Sequence, residues 1–531
     1  MTKLMLSFRP EQFGASRVAQ WRNNSNTLSF RPEQFGASRV AQWRNPWLLL
    51  LLLLAATAHA QITESVLYSF CSQISGTACS DGSGPLGDAI QASDGNLYGT
   101  TQTGGAHNRG SVFALNASGA LTTVYSFCAQ ANCADGQQPQ SGVIEGADGN
   151  LYGTTRLGGA SGLGTVYRLS RGGALTVLHS FCAQANCADG EWPVSALTAD
   201  AGGNLYGTAQ YGGAHSAGTL FEISAAAAFT VLHNFCGLAL CADGALPASP
   251  PLLAANGNAY GTTMGQPGGK GNGTIYQITP GGAFTTLHSF CAAAGCPDGS
   301  APVGRLVQAA NGNIYGATQF GGLHSSSGTL FSITPAGQFA SVYSFCALAS
   351  CADGATPHSS PVLGSDGNLY GVTPTGGTHL SGALYGFTST GTLYDFYQFC
   401  GAANCTDGYY PSGSVIQASD GNLYGTTFAG GNAQLAGTIF AVRATPALPP
   451  PIAIAASANP AKHGQPLTIR WSTANAYSQS MQACEAFVNG QPFLAVAPAG
   501  SHTFTPTSAG MFSVAITCGG VESGLLAVTV Q

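Results

Sequence analysis

The sequence predicts an all-β protein, a seven-bladed β-propeller of four-stranded blades followed by a small immunoglobulin-like β-sandwich. A Cys-x-Asp-Gly element recurs seven times, with successive aspartates 54, 54, 54, 55, 55 and 54 residues apart. Each copy alternates short apolar runs with glycine-rich turns, and four short strands in about 50 residues are typical of a propeller blade. Only 7% of the residues are charged and 44% are hydrophobic, which suits short strands joined by tight turns.

The second copy shows how one blade is built. Its predicted strands, named a to d here, lie at 143–147, 150–155, 164–169 and 174–181. Asp148-Gly149 predicts a tight hairpin between strands a and b. A β-solenoid is the alternative, but its coils of about 20–30 residues would require two coils per repeat.

The two ends of the repeat array are complementary. The array begins with a lone strand of type d at 66–70 and ends on a strand of type c at 437–442. We expect the N-terminal strand to complete the seventh blade, because this closes the ring and removes an exposed sheet edge.

Residues 1–60 are predicted to lie outside the fold. A segment at 6–23 recurs identically at 28–45. Arg44, the apolar run 48–54 and Ala58-His59-Ala60 follow the order of a signal peptide that is cleaved after Ala60. A retained anchor helix is the alternative, although the apolar run is short for a bilayer. The other predicted boundaries are a propeller at 61–442, a proline-rich linker at 443–451 and the sandwich at 452–531.

The charge balance restricts the partners. Residues 1–60 hold 7 of the 16 basic and 2 of the 22 acidic residues, so residues 61–531 carry 9 basic and 20 acidic side chains, a net charge of −11. Nucleic acid is not expected as a partner, since phosphate binding needs basic patches. We expect a monomer without a stable membrane anchor, located in the periplasm or outside the cell.

The 16 cysteines predict eight disulfides, one in each repeat and one in the C-terminal module. The pairs are Cys71/Cys79, Cys128/Cys133, Cys182/Cys187, Cys236/Cys241, Cys291/Cys296, Cys346/Cys351, Cys400/Cys405 and Cys484/Cys518. Regular pairs in an exported chain favour disulfides, and each repeat offers only two of the four ligands of a closed zinc site. One local disulfide would contribute about 2 kcal/mol in the chain-entropy model.

The C-terminal module has two cysteines 34 residues apart, preceded by Trp471, among short runs that alternate apolar and polar residues. This pattern predicts an immunoglobulin-like sandwich with a disulfide between its sheets and the Trp packed on it. The corner Tyr expected near the second Cys is absent, and Phe512 is the nearest aromatic residue.

One aspartate, two residues after the second Cys, keeps its charge in every repeat. Its copies are Asp81, Asp135, Asp189, Asp243, Asp298, Asp353 and Asp407. The structural interpretation is an Asx-turn that caps backbone N–H groups in the loop between blades. The alternative is a structural Ca²⁺ ligand, since hard cations take carboxylate oxygens, although one carboxylate per loop gives thin coordination. No other cofactor is predicted.

Other repeat positions predict turns and packing. Asp148 in the a–b hairpin is replaced by Gly202, Asn256 or Asn311 in other copies, so this position requires a turn and no charge. A partly buried position alternates between Tyr and His, namely Tyr68, Tyr125, His179, His233, His288, Tyr343 and Tyr397. The Phe before the first Cys and the Tyr of strand b are predicted to pack within and between blades. A Tyr that faces a groove could also stack on sugars.

No catalytic residue is predicted. Histidines after the Gly-Gly loop (His107, His215, His324 and His379) lack a fixed acid or nucleophile partner, and the known hydrolase and phosphate-loop motifs are absent. Four acids break the repeat pattern: Glu191, Asp200, Glu222 and Asp395. An enzyme would bring them together in one cleft, with carboxyl separations of about 5–10 Å as in glycosidases.

The repeat residues Asp-Gly-Asn-Leu-Tyr-Gly-Thr-Thr, then Gly-Gly, Gly-Thr-Val/Ile-Phe/Tyr and Tyr/His-Ser-Phe, resemble the GloVer tandem-repeat family of bacterial exported proteins. The resemblance implies a surface or secreted protein and no established activity. The C-terminal anchor of that family is not recognisable, and the sandwich module stands in its place. We expect an exported non-enzymatic protein that binds a glycan, a cell-wall polymer or a protein partner, or has a structural role. The alternative is a carbohydrate-active enzyme on the same scaffold.

Overall fold

The computed structural model describes residues 61–76, 78–265, 272–389, 391–445, 453–472, 484–488, 491–496, 500–506, 508–518, 521–522 and 526–531. The described part is all-β, with short 3-10 turns and no α-helix. Seven antiparallel sheets of four principal strands each follow one another along the chain, which confirms the predicted seven-bladed propeller. No helix of this part is long and apolar enough to cross a membrane. The predicted signal peptide and the duplicated segment lie outside the described residues.

Each blade has a short strand a, which is longer only in blade 5, and three longer strands b to d. In the order a to d, the strands are Ile90–Gln91, Leu97–Thr101, Ser111–Leu115 and Leu121–Ser126 in blade 1; Ile144–Glu145, Leu151–Thr155, Thr165–Leu169 and Leu175–Ser180 in blade 2; Thr198–Ala199, Leu205–Ala209, Thr219–Ile223 and Phe229–Asn234 in blade 3; Leu252–Leu253, Ala259–Gly265, Thr274–Ile278 and Phe284–Ser289 in blade 4; Ser300–Gln308, Ile314–Phe320, Thr329–Ile333 and Phe339–Ser344 in blade 5; Val362–Leu363, Leu369–Thr373, Ala383–Phe387 and Leu393–Gln398 in blade 6; and Ile416–Gln417, Leu423–Ala429, Thr438–Thr445 and Gln61–Ser69 in blade 7.

The loops between blades carry small additional elements. These are the short strands Ile74–Ser75, Ala78–Cys79, Ala245–Pro247 and Tyr409–Pro411, and the 3-10 turns Ala131–Cys133, Ala185–Cys187, Ala239–Cys241, Ala349–Cys351 and Ala403–Cys405.

The ring closes as the sequence predicts. The N-terminal strand pairs antiparallel with strand c of blade 7, with Gln61 opposite Thr445 and Ser69 opposite Thr438. Because this pairing extends to Thr445, residues 443–445 belong to the last blade, where the sequence predicted the start of the linker. Residues 446–451, the rest of that linker, lie outside the described residues.

The core lies between adjacent blades. The Phe before the first Cys is buried in all seven copies, with 0–4% of its surface exposed. Phe127, at the end of blade 1, contacts Tyr167 of blade 2 edge to face, with ring centroids 5.2 Å apart. The predicted packing role of this Phe is confirmed.

The Gly after the invariant Asp is required by both backbone and packing. Gly136 has φ +99°, and a Cβ at this position would lie 2.4 Å from Oγ1 of Thr155. Thr155 and Thr165 share a buried hydrogen bond of 2.8 Å directly beneath it. Any side chain would therefore displace the threonine pair that joins strands b and c.

The C-terminal module contains two antiparallel sheets. The strands are Ala453–Ala456, Leu467–Ser472 and Gly500–Phe504 in one, and Gln491–Val496, Cys484–Val488, Gly510–Cys518, Val521–Glu522 and Leu526–Val530 in the other. Cys484 lies opposite Cys518 on neighbouring strands of the same sheet. The predicted position of a disulfide between the sheets is therefore wrong, because both residues belong to one sheet. The pairing of these two cysteines itself stays a prediction.

Candidate functional site

The propeller presents two faces with different loops. Strand b of each blade begins at the a–b hairpin, such as Asp148-Gly149, and ends at the b–c loop, such as Gly158-Gly159. The hairpin face therefore carries the a–b and c–d turns. The opposite face, here called the cysteine face, carries the b–c loops and the loops that connect each strand d to the next blade.

All seven predicted local disulfides are formed, one in each loop that connects a strand d to the next blade. They join Cys71 to Cys79, Cys128 to Cys133, Cys182 to Cys187, Cys236 to Cys241, Cys291 to Cys296, Cys346 to Cys351 and Cys400 to Cys405. Each closes a loop of a few residues beside the invariant aspartate.

The invariant aspartate ties this loop to strand d. Oδ2 of Asp135 accepts hydrogen bonds from the Tyr125 hydroxyl at 2.8 Å and from the Ala129 N–H at 2.9 Å. Oδ1 accepts the Gln130 N–H at 3.1 Å. The carboxylate is fully buried and has no contact with water. These three donors supply the hydrogen bonds that water would give to an exposed carboxylate.

Asp189, Asp243, Asp353 and Asp407 repeat this arrangement, whereas Asp81 and Asp298 each accept only one backbone N–H and Asp298 is partly exposed. The Tyr or His of strand d bonds to the carboxylate in every blade, over distances of 2.7–3.2 Å. The geometry therefore favours the capping interpretation. In the described part of the chain, no three His, Cys, Asp or Glu side chains are grouped to hold a metal ion, and Ca²⁺ binding at these aspartates stays a prediction.

The Tyr or His of strand d packs on a residue of the next blade, and the type of that residue differs between the two cases. His179 stacks on Phe229 with ring centroids 3.7 Å apart, and the same stacking joins His233 to Phe284 and His288 to Phe339. Where strand d carries Tyr, as at Tyr125, the packed residue is a leucine, Leu175, except at Tyr397, where Glu64 takes this position. Burial lowers the pKa of His179 and His233, although the neighbouring carboxylates act in the opposite direction.

The turn aspartates have a function that the sequence did not reveal. Oδ2 of Asp148 accepts the hydroxyl of Tyr152 at 2.8 Å, which ties the hairpin to strand b. In blade 3, where the turn residue is glycine, Asp200 accepts the Tyr206 hydroxyl at 3.1 Å instead. Asp200 is thus a displaced turn residue, engaged in the same contact. The strand-b Tyr is correspondingly tethered through its hydroxyl in these blades.

A central cavity of about 1190 Å³ lies where the seven strands a converge. Every blade contributes to its lining, through residues such as Ile90, Ile144, Leu252 and Ile416. The a–b turns of blades 3 and 4 and the c–d turn of blade 4 also line it, so the cavity belongs to the hairpin face. The C-terminal module adds Asn459, Pro460, Thr529 and Gln531.

Four charged side chains line this cavity: Asp88, Asp200, Glu222 and Arg305. Arg305 replaces the small or turn residues of most other copies, and its Nη2 donates to the Leu197 carbonyl of blade 3 at 3.1 Å. Burial lowers the pKa of Arg305, while the charge of Asp88 partly offsets this. Asp88 accepts the Ser414 N–H at 2.6 Å. The sequence comparison among repeats could have found Arg305, because it breaks the pattern of strand a.

The four acids that break the repeat pattern do not all meet. Asp200 and Glu222 line the central cavity, and Asp200 is already bound to its hairpin. Glu191 lies on the cysteine face, where its backbone pairs with Tyr211. Asp395 lies on the outer strand d of blade 6, where it is exposed. The four histidines of the b–c loops are all exposed as well. This arrangement does not support the glycosidase alternative.

Glu64 occupies an unusual position where the ring closes. It stands at the place in strand d that carries Leu or Phe in the other blades. Burial raises the pKa of Glu64 to about 7, and the charge of Asp407 adds to the effect. One of its carboxylate oxygens is buried without a hydrogen-bond partner among the described residues.

Comparisons with curated proteins and solved structures give at most distant similarity. No curated protein matches the chain. The extracellular domain of a one-component system from B. thetaiotaomicron is similar at 13% identity and a TM-score of 0.45, over 89% of this chain and 59% of that one. A protein described as a gluconolactonase is similar at 10% identity and a TM-score of 0.36, over 73% of this chain and 93% of that one. Both are too distant to indicate a function.

A family model gives the stronger result. The model of the Gloeobacter/Verrucomicrobia repeat matches residues 58–265 and 240–360, together more than half of the chain. This confirms the resemblance that the repeat residues predicted. The chain belongs to the Gloeobacter/Verrucomicrobia repeat family.

Proposed function

We propose that this protein is an exported, non-enzymatic binding protein whose ligand, a glycan, enters the central cavity from the hairpin face. The observation that carries the proposal is the cavity itself, which draws its lining from all seven blades and holds charged side chains that depart from the repeat. Concave sites of this kind, with a mostly apolar wall and a few polar groups, are the usual form of a ligand pocket.

The chemistry of the cavity suits a polyhydroxylated ligand without negative charge. Glu222 and Asp88 offer carboxylate oxygens to hydroxyl groups, and Arg305 offers N–H donors beside apolar surfaces such as Ile144 and Leu252. The net charge of −11 over residues 61–531 disfavours an anionic polymer. Neutral sugars combine the required hydroxyls with apolar ring faces.

The C-terminal module acts in this proposal as a second contact. Its residues Asn459, Pro460 and Thr529 line the cavity beside the blades. Two antiparallel sheets of three and five strands support an immunoglobulin-like sandwich, although its cysteines share one sheet. The seven local disulfides support export, because such bonds persist in oxidising compartments. Cleavage after Ala60 is the route of export in this proposal.

A glycan array on the purified full chain tests the proposal, followed by titration with the strongest neutral hit. Ala199→Trp places a large ring in the cavity wall at an exposed position, and we expect it to lower the affinity at least ten-fold. Ala226→Trp is the matched control on the same face, since Ala226 is exposed in a c–d turn outside the cavity lining. Absence of binding to every glycan, or equal affinity of both variants and the unmodified protein, would overturn the proposal.

A further inference from the structure

The cysteine face carries two aromatic clusters at equivalent places in the repeat. In the first, named the Trp192 cluster, Arg156 lies 4.7 Å from the Trp192 ring centroid and the Tyr211 ring lies 5.2 Å away at 82°. In the second, the Tyr410 ring lies 5.8 Å from His358 and 6.1 Å from Phe428. Trp192 and Tyr410 occupy the same position in the loop that leads into a blade, three residues after the invariant aspartate.

The fold does not require an aromatic residue at this position. The equivalents in the other five copies are Gly84, Gln138, Leu246, Ala301 and Thr356. All seven residues have positive φ, between +50° and +62°, so the backbone is the same whichever side chain is present. The aromatic rings therefore vary independently of the loop conformation.

Trp192 is also an unfavourable choice for stability. A bulky residue in the left-handed region is strained, and glycine occupies the site in the first copy. The indole N–H of Trp192 is buried and finds no hydrogen-bond acceptor in the described structure, which is destabilising. Residues that break local rules in this way are expected at functional sites.

The surroundings of Trp192 suit a sugar. The Trp192, Tyr211 and Arg156 side chains are each partly exposed, so aromatic surface remains open to solvent at the end of strand b. Glu191, the residue before Trp192, is one of the acids that break the repeat pattern and lies on the same loop. Aromatic faces stack on the apolar faces of pyranose rings, while carboxylate and guanidinium groups bond to hydroxyls.

We propose that the Trp192 cluster is a second glycan-binding site, on the face opposite the central cavity, which takes a neutral pyranose chain. The cluster around Tyr410 is a second place of the same kind on the same face. This site is separate from the cavity, so one molecule could hold two chains, or two parts of one chain, at once.

Isothermal titration of the full chain with cellohexaose, laminarihexaose and mannohexaose tests the proposal. Trp192→Gln introduces the residue that blade 2 carries at Gln138, so the variant is expected to fold. We expect about ten-fold weaker binding of at least one hexasaccharide, as for an aromatic anchor at a binding site. We also expect an unfolding midpoint that is equal to that of the unmodified protein or higher, whereas a residue needed for packing would lower it.

Two further variants make the result decisive. Gln138→Ala, at the matched position, should leave the affinity unchanged. In Ala199→Trp, whose cavity is blocked, binding that still depends on Trp192 should persist, which separates this site from the cavity. The proposal is overturned if none of the three sugars binds, if only a protein partner binds, or if Trp192→Gln leaves every affinity unchanged.

Discussion

Asp135 and its six equivalents hold a charge in every repeat because several donors converge on one carboxylate, three of them in five copies and two at Asp81 and Asp298. The tyrosine or histidine of strand d and the backbone N–H groups after the first cysteine all require an acceptor at one point. An amide would turn a donor toward these donors. The carboxylate is therefore the part that holds the disulfide loop against its blade.

The first prediction follows from this contact. We expect Asp135→Asn to lower the free energy of unfolding by about 2–4 kcal/mol, because hydrogen bonds to a buried charged acceptor are lost. Asp148→Asn is the matched control, with a change below about 1 kcal/mol, since Asn256 and Asn311 occupy this turn position in other blades. Urea unfolding followed by fluorescence measures both. Equal losses in the two variants would contradict the role assigned to Asp135.

A second prediction concerns the left-handed residue before the second cysteine. Leu240 has φ +56° and is 89% exposed, while its equivalents Asn132, Asn186 and Asn404 have φ +55° to +58°. Asparagine tolerates this conformation better, so Leu240→Asn should stabilise the protein by about 1 kcal/mol. The control Leu238→Asn, at φ −94°, should leave stability unchanged. A stability gain in the control alone would refute the backbone argument.

The hydrogen-bond partner of the invariant aspartate was visible in the sequence as a nearly constant spacing but was not predicted. The aspartate always follows a tyrosine or histidine, ten residues earlier in six copies and thirteen in the first. Capping of backbone N–H groups could be predicted from residue type, but the tyrosine or histidine partner could not. That contact requires strand d and the loop to return to the same place, and only the folded blade shows this.

At the scale of elements, each strand d joins two blades through one ring contact. Histidine occurs where the next blade offers phenylalanine, as in His179 with Phe229. Tyrosine occurs where it offers leucine, as in Tyr125 with Leu175, or Glu64, as at Tyr397. The pairing spans about 50 residues, so the sequence alone did not suggest the contact.

This contact predicts a dependence of stability on pH. The pKa of His179 in the folded protein lies below the ordinary value of about 6.5, because burial disfavours the charged ring. On acidification, His179 therefore takes up a proton in the unfolded chain before it does so in the folded protein. The contribution of His179 to stability is full above about pH 7, and it is lost as the pH falls through 6.5 toward the lower pKa of the folded protein.

The double variant His179→Tyr with Phe229→Leu tests this, because it recreates the pair Tyr125 and Leu175. Its melting temperature should fall less than that of the unmodified protein between about pH 7.5 and pH 5. Parallel curves for the two proteins would show that His179 does not contribute.

Glu64, which lies where the ring closes, predicts that stability changes with pH in the opposite direction. Its folded pKa of about 7 lies above the ordinary value of 4.5, because burial and Asp407 disfavour the charge. The stabilising contribution is therefore full below the ordinary pKa and is lost as the pH rises through about 7. Glu64→Leu, the residue type of Leu121 and Leu175, should raise the melting temperature at pH 8 more than at pH 4. The same gain at both values would contradict this account.

At the scale of the whole molecule, the repeats explain why the propeller could be predicted and the binding site could not. Seven copies with a constant period define the blades, and the unpaired strands at the two ends predict the closure between Gln61–Ser69 and Thr438–Thr445. The cavity depends on how seven strands a converge, which no single copy contains. Arg305 and Trp192 are visible in the sequence only as departures from the pattern, and their positions on opposite faces follow from the direction of strand b.

The cysteines give a prediction about the whole chain. We expect peptide mass spectrometry without reduction to find Cys484 linked to Cys518, in addition to the seven local disulfides, because neighbouring strands place the two residues opposite each other. The same spectra should find Gln61 at the N-terminus of exported protein. Free thiols at Cys128 and Cys133 would contradict the assignment to an oxidising compartment.

The most direct test of the central claim is a crystal structure of the full chain with a neutral oligosaccharide selected on the glycan array. The account predicts an intact sugar in the central cavity, within hydrogen-bonding distance of Arg305 or Glu222. A sugar bound only outside the cavity, or one cleaved during the experiment, would contradict the claim that this propeller is a binding protein whose site lies where its seven blades meet.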